Sequence, residues 1–308
     1  MTANPSYRPQ ASTEYWQGLV ASVDALDLTA EVEHMEIRDT GYATMYGVTL
    51  TSLDGYKIFG YLSIPNGNGP FPARYYPSLY GSVVQPILTG WTNRMREKYV
   101  TFSLASRGQR KADVPFAADF PDLLTTGIES PDTFVYRGII GDCYLGLRYL
   151  LVHPSVDTSK VIVHGNDAAL ITTSFSPTVK GLVVQPQLFY RTMELAPKTL
   201  SYPLEEINDY LRAHPGKTEK IANTLSFFDL RNFAPNVQAP TLLHAGPTGS
   251  LFGPERLGEL AEAMPGKVEV FAAENSDYKD GVHIENWIAQ ASGVGEPILP
   301  RAWQTPPI

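Results

Sequence analysis

The residues of this 308-residue chain best placed to do chemistry lie in Val161-Ile162-Val163-His164-Gly165-Asn166-Asp167-Ala168-Ala169. A β-branched run breaks at Gly165-Asn166 and resumes as helix formers, so the segment reads as a strand, a sharp turn and a helix. That is the setting of the G-x-S-x-G elbow, in which a strained turn lifts a nucleophilic serine clear of a sheet. Here the central position is Asp167. A carboxylate attacking an ester gives a mixed anhydride, no advance on the starting acyl group. Attack at a saturated carbon bearing a good leaving group gives an alkyl ester instead, which water activated by a histidine can open. Asp167 could also move protons in an elimination, an isomerisation or a carbon-carbon cleavage; burial would raise its pKa and a neighbouring imidazolium would lower it. The remaining reading contains no chemistry. Asn and Asp tolerate strained or left-handed backbone, so Asn166-Asp167 would merely satisfy the bend.

Such a turn needs a sheet with helices on it. Apolar residues at helical spacing predict a lead-in helix over 15–28. Alternating runs at 32–37, 43–50 and 57–64 predict antiparallel strands, the last two joined through Asp54-Gly55, a hairpin signature. From residue 73 strand and helix alternate, the signal of a parallel sheet. Its strands are expected at 73–76, 100–104, 161–164, 181–185, 241–245 and 268–272, and its helices at 133–151, 168–175, 254–264 and 284–291. The stretch 191–233 reads as helical and mixed in charge; it lies where a cap over the site would sit, although a solvated helix pair has the same pattern. One domain over 1–308 is expected, with an N-terminal extension over 1–50 and a helical insertion over about 190–233.

A formal charge of −8 with no basic block argues against nucleic acid or anionic membrane as a partner and favours a neutral or cationic small substrate. No run of about 18 apolar residues offers a membrane span, and no signal-peptide pattern opens the chain, so the cytoplasm is the expected compartment. Cys143 is the single cysteine and reads as a packed thiol. H-E-x-x-H, G-x-G-x-x-G and G-x-x-x-x-G-K-[ST] are all missing, so no metal, NAD, flavin or ATP is implied and no cofactor is expected.

Four segments carry a family resemblance. Arg107-Gly108-Gln109 follows a predicted strand. Residues 127–142 run Gly-Ile-Glu-Ser-Pro-Asp-Thr-Phe-Val-Tyr-Arg-Gly-Ile-Ile-Gly-Asp, Phe227-Phe228-Asp229-Leu230-Arg231-Asn232-Phe233-Ala234 comes later, and His283-Ile284-Glu285 closes the series. In this order, over about 53–287, the set resembles the acetyl xylan esterase and cephalosporin C deacetylase group, carbohydrate esterase family seven of the α/β-hydrolase superfamily. The resemblance implies an α/β-hydrolase fold, with a mostly parallel central sheet flanked by helices, and a homo-oligomer. It also implies a Ser-His-Asp triad, of which the serine position is Asp167 and the histidine is His283. The acid position falls near Gly249 in Gly246-Pro247-Thr248-Gly249-Ser250, which has no carboxylate. By the same resemblance Tyr80 corresponds to the oxyanion tyrosine and Ala168 to the glutamine after the serine. Arg107 would buttress the site loops, with Asp142 as its partner.

The expected function is therefore an acetyl xylan esterase-like enzyme of non-standard chemistry acting on a small molecule. Asp167 would serve as nucleophile or proton-transfer group and His283 as base, with amides near Tyr80 and Ala168 as oxyanion donors. Asn166, Gln187 and Trp91 join the candidate pocket, and Arg107, Gly108 and Gln109 form a structural motif. Glu274, Asp277, Asp280 and Glu285 are the acids near His283 that could orient it. His164 and His244 read as core histidines. Two alternatives stand beside this: a catalytically silent binding or scaffold protein, and an esterase working by a route other than the elbow.

Overall fold

The computed structural model describes residues 9–81, 84, 87, 94–112 and 123–304. Trp91 lies outside them. Nine strands of the described residues form one sheet, in the order β1-β2-β3-β5-β4-β6-β7-β8-β9. Three antiparallel strands lead in: β1 (Glu31–His34), β2 (Ala43–Thr51) and β3 (Lys57–Pro65). Asp54 and Gly55 take φ of 61° and 76° between β2 and β3, the left-handed pair that lets so short a connection reverse the chain. β1 ends before the expected position because residues Glu36–Arg38 close into a 3-10 turn.

β4 (Phe71–Tyr76), β5 (Val100–Ala105), β6 (Val156–Gly165), β7 (Gly181–Val184), β8 (Thr241–Ala245) and β9 (Val268–Ala272) run parallel to one another, while β3 joins β5 antiparallel. Their near-continuous apolar runs follow from burial on both faces. Val163, Leu182 and Leu243 point into the larger core, which they share with α1 (Pro9–Asp24), α2 (Val135–Val152), α3 (Asp167–Ser174), α4 (Thr192–Leu195), α5 (Leu204–Ala213), α6 (Thr218–Phe228) and α7 (Pro254–Glu262). Their sequence neighbours Ile162, Val183 and Leu242 point the other way, against Ile288 of α8 (Asp277–Ala291). Thus α3 and α8 lie on opposite faces of the sheet.

The start of α8 departs from the sequence reading. The last helix, expected to open at 284, begins at Asp277. Ser276 caps it by accepting the Lys279 N–H at 3.2 Å, and Asp280 reaches back to the Ser276 N–H at 3.1 Å and the Glu274 N–H at 3.0 Å. Polar side chains that satisfy the first turn in this way start a helix rather than a loop.

Candidate functional site

Asp167 opens α3 directly after β6, so the strand-turn-helix elbow forms where the sequence places it. Its side chain does not face a cleft. It is 1 % exposed, and its two oxygens are taken by three consecutive backbone amides of the turn after β7: Gln187 N–H at 2.9 Å, Leu188 N–H at 3.1 Å to each oxygen, and Phe189 N–H at 2.8 Å. Burial holds the Asp167 carboxyl above the usual carboxylate range, against the opposing pull of those amides. Beside it, Asn166 Nδ2 donates to Gln187 Oε1 at 2.6 Å. Ala168 is buried in the first turn of α3.

His283 is elsewhere. Being inside α8, it sits on the face of the sheet opposite α3. Its Nε2 meets Glu269 Oε1 at 2.7 Å, and its ring stacks on Phe271 at 4.0 Å and 7°. Glu269 and Phe271 alternate along β9 and pair in register with Leu242 and His244, which fixes their side chains on the α8 face. The expected pairing of Asp167 with His283 is therefore not made. The reason is that the first turn of the last helix starts early and carries the histidine down the helix, away from the carboxyl ends of the strands. The four acids thought able to orient it have other partners or other work. Asp280 caps α8, Glu274 pairs with Lys279, and Glu285 forms a bidentate pair with buried Arg74 at 2.8 Å; Asp277 sits in the first turn of α8. Glu269 was missed, although strand alternation from Phe271 would have placed it on the same face.

The Arg-Gly-Gln motif is a clamp. Arg107 binds Asp142 through its backbone N–H at 3.0 Å and its guanidinium at 2.9 Å, and the Ser52 hydroxyl donates to the same carboxylate at 2.5 Å. Arg107 lies on Gly138 of α2, where a Cβ would come within 2.4 Å of the guanidinium. Gly108 turns the chain at φ 83°, and Gln109 Nε2 then donates to the carbonyls of Leu79 and Gly81 at 2.9 and 3.0 Å. The residue between those two carbonyls is Tyr80. Two further sequence expectations concern buried groups. Burial pushes the Cys143 thiol up, as befits a packed cysteine. His164 packs on Tyr76 and is driven down to about 4 by burial, as a core histidine is, but its Nδ1 is buried with no hydrogen-bond partner among the described residues.

A cleft of about 540 Å³ opens at the carboxyl ends of β7, β8 and β9, as ligand sites do in open α/β sheets. Tyr80, Gln185, Gln187, Ser250, Phe252 and Asn275 are among its walls. Residues 199 and 201–204, ahead of and at the start of α5, close one side. Neither Asp167 nor His283 reaches it, and among the described residues no Asp, Glu, Lys, Arg or His lines it. The segment that holds the acid position of the resemblance runs along this wall through Gly246, Pro247 and Ser250. Gly249 itself takes φ 82° and donates its N–H to Glu255 at 2.8 Å, and the buried Ser250 hydroxyl has no hydrogen-bond partner among the described residues. A smaller cavity of about 180 Å³ beside it is lined by His164, Asn166, Gln185 and His244. Among the described residues no group of three or more His, Cys, Asp or Glu could hold a metal ion, and no helix is long and apolar enough to cross a membrane.

An antiparallel lead-in, a parallel sheet, an elbow at the end of β6 and a cleft above β7 to β9 define an α/β-hydrolase-fold protein. The profile of the acetyl xylan esterase (AXE1) family matches residues 3–255, and the chain belongs to that family. Acetyl esterase Axe7A of Xylanibacter ruminicola is 20 % identical over 253 residues, 77 % of this chain and 56 % of that protein, so the chain spans about half the length of this relative. Among solved structures, acetyl xylan esterase 1 from Thermoanaerobacterium superposes with a TM-score of 0.80 at 17 % identity, covering 93 % of this chain and 95 % of that one. The acetyl xylan esterase from Paenibacillus gives 0.76 at 21 % identity, covering 94 % and 99 %. The family match ends at residue 255, ahead of His283.

Proposed function

We propose that this family member binds a neutral, hydroxyl-bearing small molecule in the cleft and is catalytically silent toward esters at the elbow, where Asp167 fixes the turn at 187–189. One observation carries the reading: both oxygens of the elbow carboxylate are already held by the three amides of Gln187, Leu188 and Phe189. The lining supports the ligand class, since amides, hydroxyls and aromatic faces without a charge suit a polyol or sugar ring. Turnover assays on aryl acetates, haloalkanes and epoxides test it. No turnover is expected, and turnover abolished by Asp167→Asn would overturn it.

A second reading keeps Asp167 as nucleophile or proton carrier with His283 as base. It is favoured by burial of the carboxyl, which pushes the Asp167 pKa up from the ordinary carboxylate range; it requires the turn at 187–189 to release the carboxylate and α8 to unwind. Loss of one activity in both Asp167→Asn and His283→Ala would select it, whereas aryl acetate turnover that survives Asp167→Asn would select an ester route outside the elbow. The same proposal takes the chain as one hydrolase-fold domain with a helical insertion, assembling as a homo-oligomer in the cytoplasm. Leu200 and Tyr202, 83 % and 60 % exposed ahead of α5, support a subunit contact that light scattering would test.

A further inference from the structure

The cavity of about 180 Å³ beside the cleft takes two imidazoles from the strands on either side of β7. His164 of β6 pairs in register with Val183, and Val183 with Leu242 of β8, two residues short of His244, so strand alternation puts both rings on the α8 face. Among the described residues neither ring has a hydrogen-bond partner. His164 Nδ1 and His244 Nε2 are sealed from solvent, which leaves His164 Nε2 and His244 Nδ1 as the atoms the rings bring to the cavity.

A neutral imidazole carries a single ring proton and can hold it on either nitrogen. A buried N–H without an acceptor is rarer than a lone pair without a donor, so the sealed nitrogens stay bare and both protons stand on the cavity side. An imidazolium would put an N–H on each sealed nitrogen. Geometry therefore opposes protonation in the same sense as burial, which drives His164 down to about 4 and lowers His244. The ionisable groups around the rings hold other partners: Arg74 pairs with Glu285, His283 with Glu269, and Asp280 caps α8. None of them lines the cavity, where Leu79 and Val183 supply apolar wall beside the amides of Asn166 and Gln185. The result is a neutral pocket with two ring donors and, among the described residues, no countercharge for an anion. A metal ion would need the ring lone pairs on the cavity side and a partnered N–H on each far nitrogen, and the far nitrogens have no partner among the described residues.

We propose that this cavity is a second ligand site that takes the carbonyl of a small uncharged amide or ester, with His164 Nε2–H and His244 Nδ1–H as its donors. A carbonyl oxygen brings two lone pairs and no proton, which suits two donors, and its alkyl substituents suit the Leu79 and Val183 side. The site does not depend on what the cleft binds, since neither histidine lines the cleft.

N,N-dimethylacetamide, an acceptor without a donor, and sodium acetate, a charged molecule of similar size, are the probes. The full chain, labelled with ¹⁵N in its histidine rings, is titrated with each near neutral pH, and the two rings are identified through His164→Phe and His244→Phe. Before any ligand is added, the ring protons are expected on His164 Nε2 and His244 Nδ1; a proton on Nδ1 of His164 or Nε2 of His244, or an imidazolium at either, overturns the donor assignment. Dimethylacetamide should then move both ring signals with a Kd of about 1–10 mM, in keeping with its few heavy atoms. Acetate should bind at least about tenfold more weakly, for want of a countercharge. Each histidine variant should weaken dimethylacetamide binding about fivefold, the loss of one neutral hydrogen bond, while the remaining ring still responds. Ring signals that stay still up to about 100 mM dimethylacetamide, or acetate binding as tight as the amide, overturn the proposed ligand even where the ring protons are placed as expected.

Discussion

Whether a carboxylate at an elbow reacts or supports depends on what its oxygens already hold. At Asp167 three amides hold them, and an unmade bond to a buried N–H costs far more than a formed one contributes. Asp167→Asn keeps the shape but turns an NH₂ toward those amides; it is expected to lower unfolding stability by about 2–3 kcal/mol in urea titrations. His283 and Glu269 are both well exposed, at 38 % and 44 %. His283→Ala should therefore change stability by less than about 1 kcal/mol, and a larger loss would show that the pair matters more than its solvation allows. His164 gives the pH dependence. In the unfolded chain it takes a proton near 6.5, in the fold only near 4. Between these values the unfolded state binds the proton and the folded state does not, so stability present above about pH 6.5 is lost progressively as pH falls toward 4. His164→Phe should flatten that limb of the thermal-midpoint profile.

At the scale of elements, two buried arginines do the fastening. Arg107 ties the loop after β5 to α2 through Asp142, and Arg74 ties β4 to α8 through Glu285. Arg74 is fully buried and lies over the Tyr99 ring at 4.1 Å, so removing its partner strands a charge. Glu285→Ala is expected to cost about 3–5 kcal/mol, read as a drop in denaturation midpoint. The His-Glu resemblance at 283–285 thus marks a helix anchor. The motif was legible; its work was not, because sequence spacing does not say whether a helix begins before or after a given residue. The Arg-Gly-Gln motif was read closer to its geometry, since a guanidinium beside a helix aspartate has few other uses and Gly138 leaves room for it.

For the whole molecule, the sheet itself separates α3 from α8, and a serine placed at the elbow would find no imidazole across it. Asp167→Ser should give no aryl acetate hydrolysis above the wild-type background, and measurable turnover would mean that a base reaches the elbow after all. By itself the sequence determined the order of strands and helices, the elbow and its acidic residue, because hydrophobic period, glycine turns and β-branching are local and repeat over many residues. Tertiary structure alone decided the partners of the polar groups. Three amides from residues 187–189 meet Asp167, a strand acid meets His283, and Glu206 meets Tyr80 across 126 positions of chain. Hydrogen bonds of that kind are set by distances of a few tenths of an ångström between distant segments, and no spacing in one dimension encodes them.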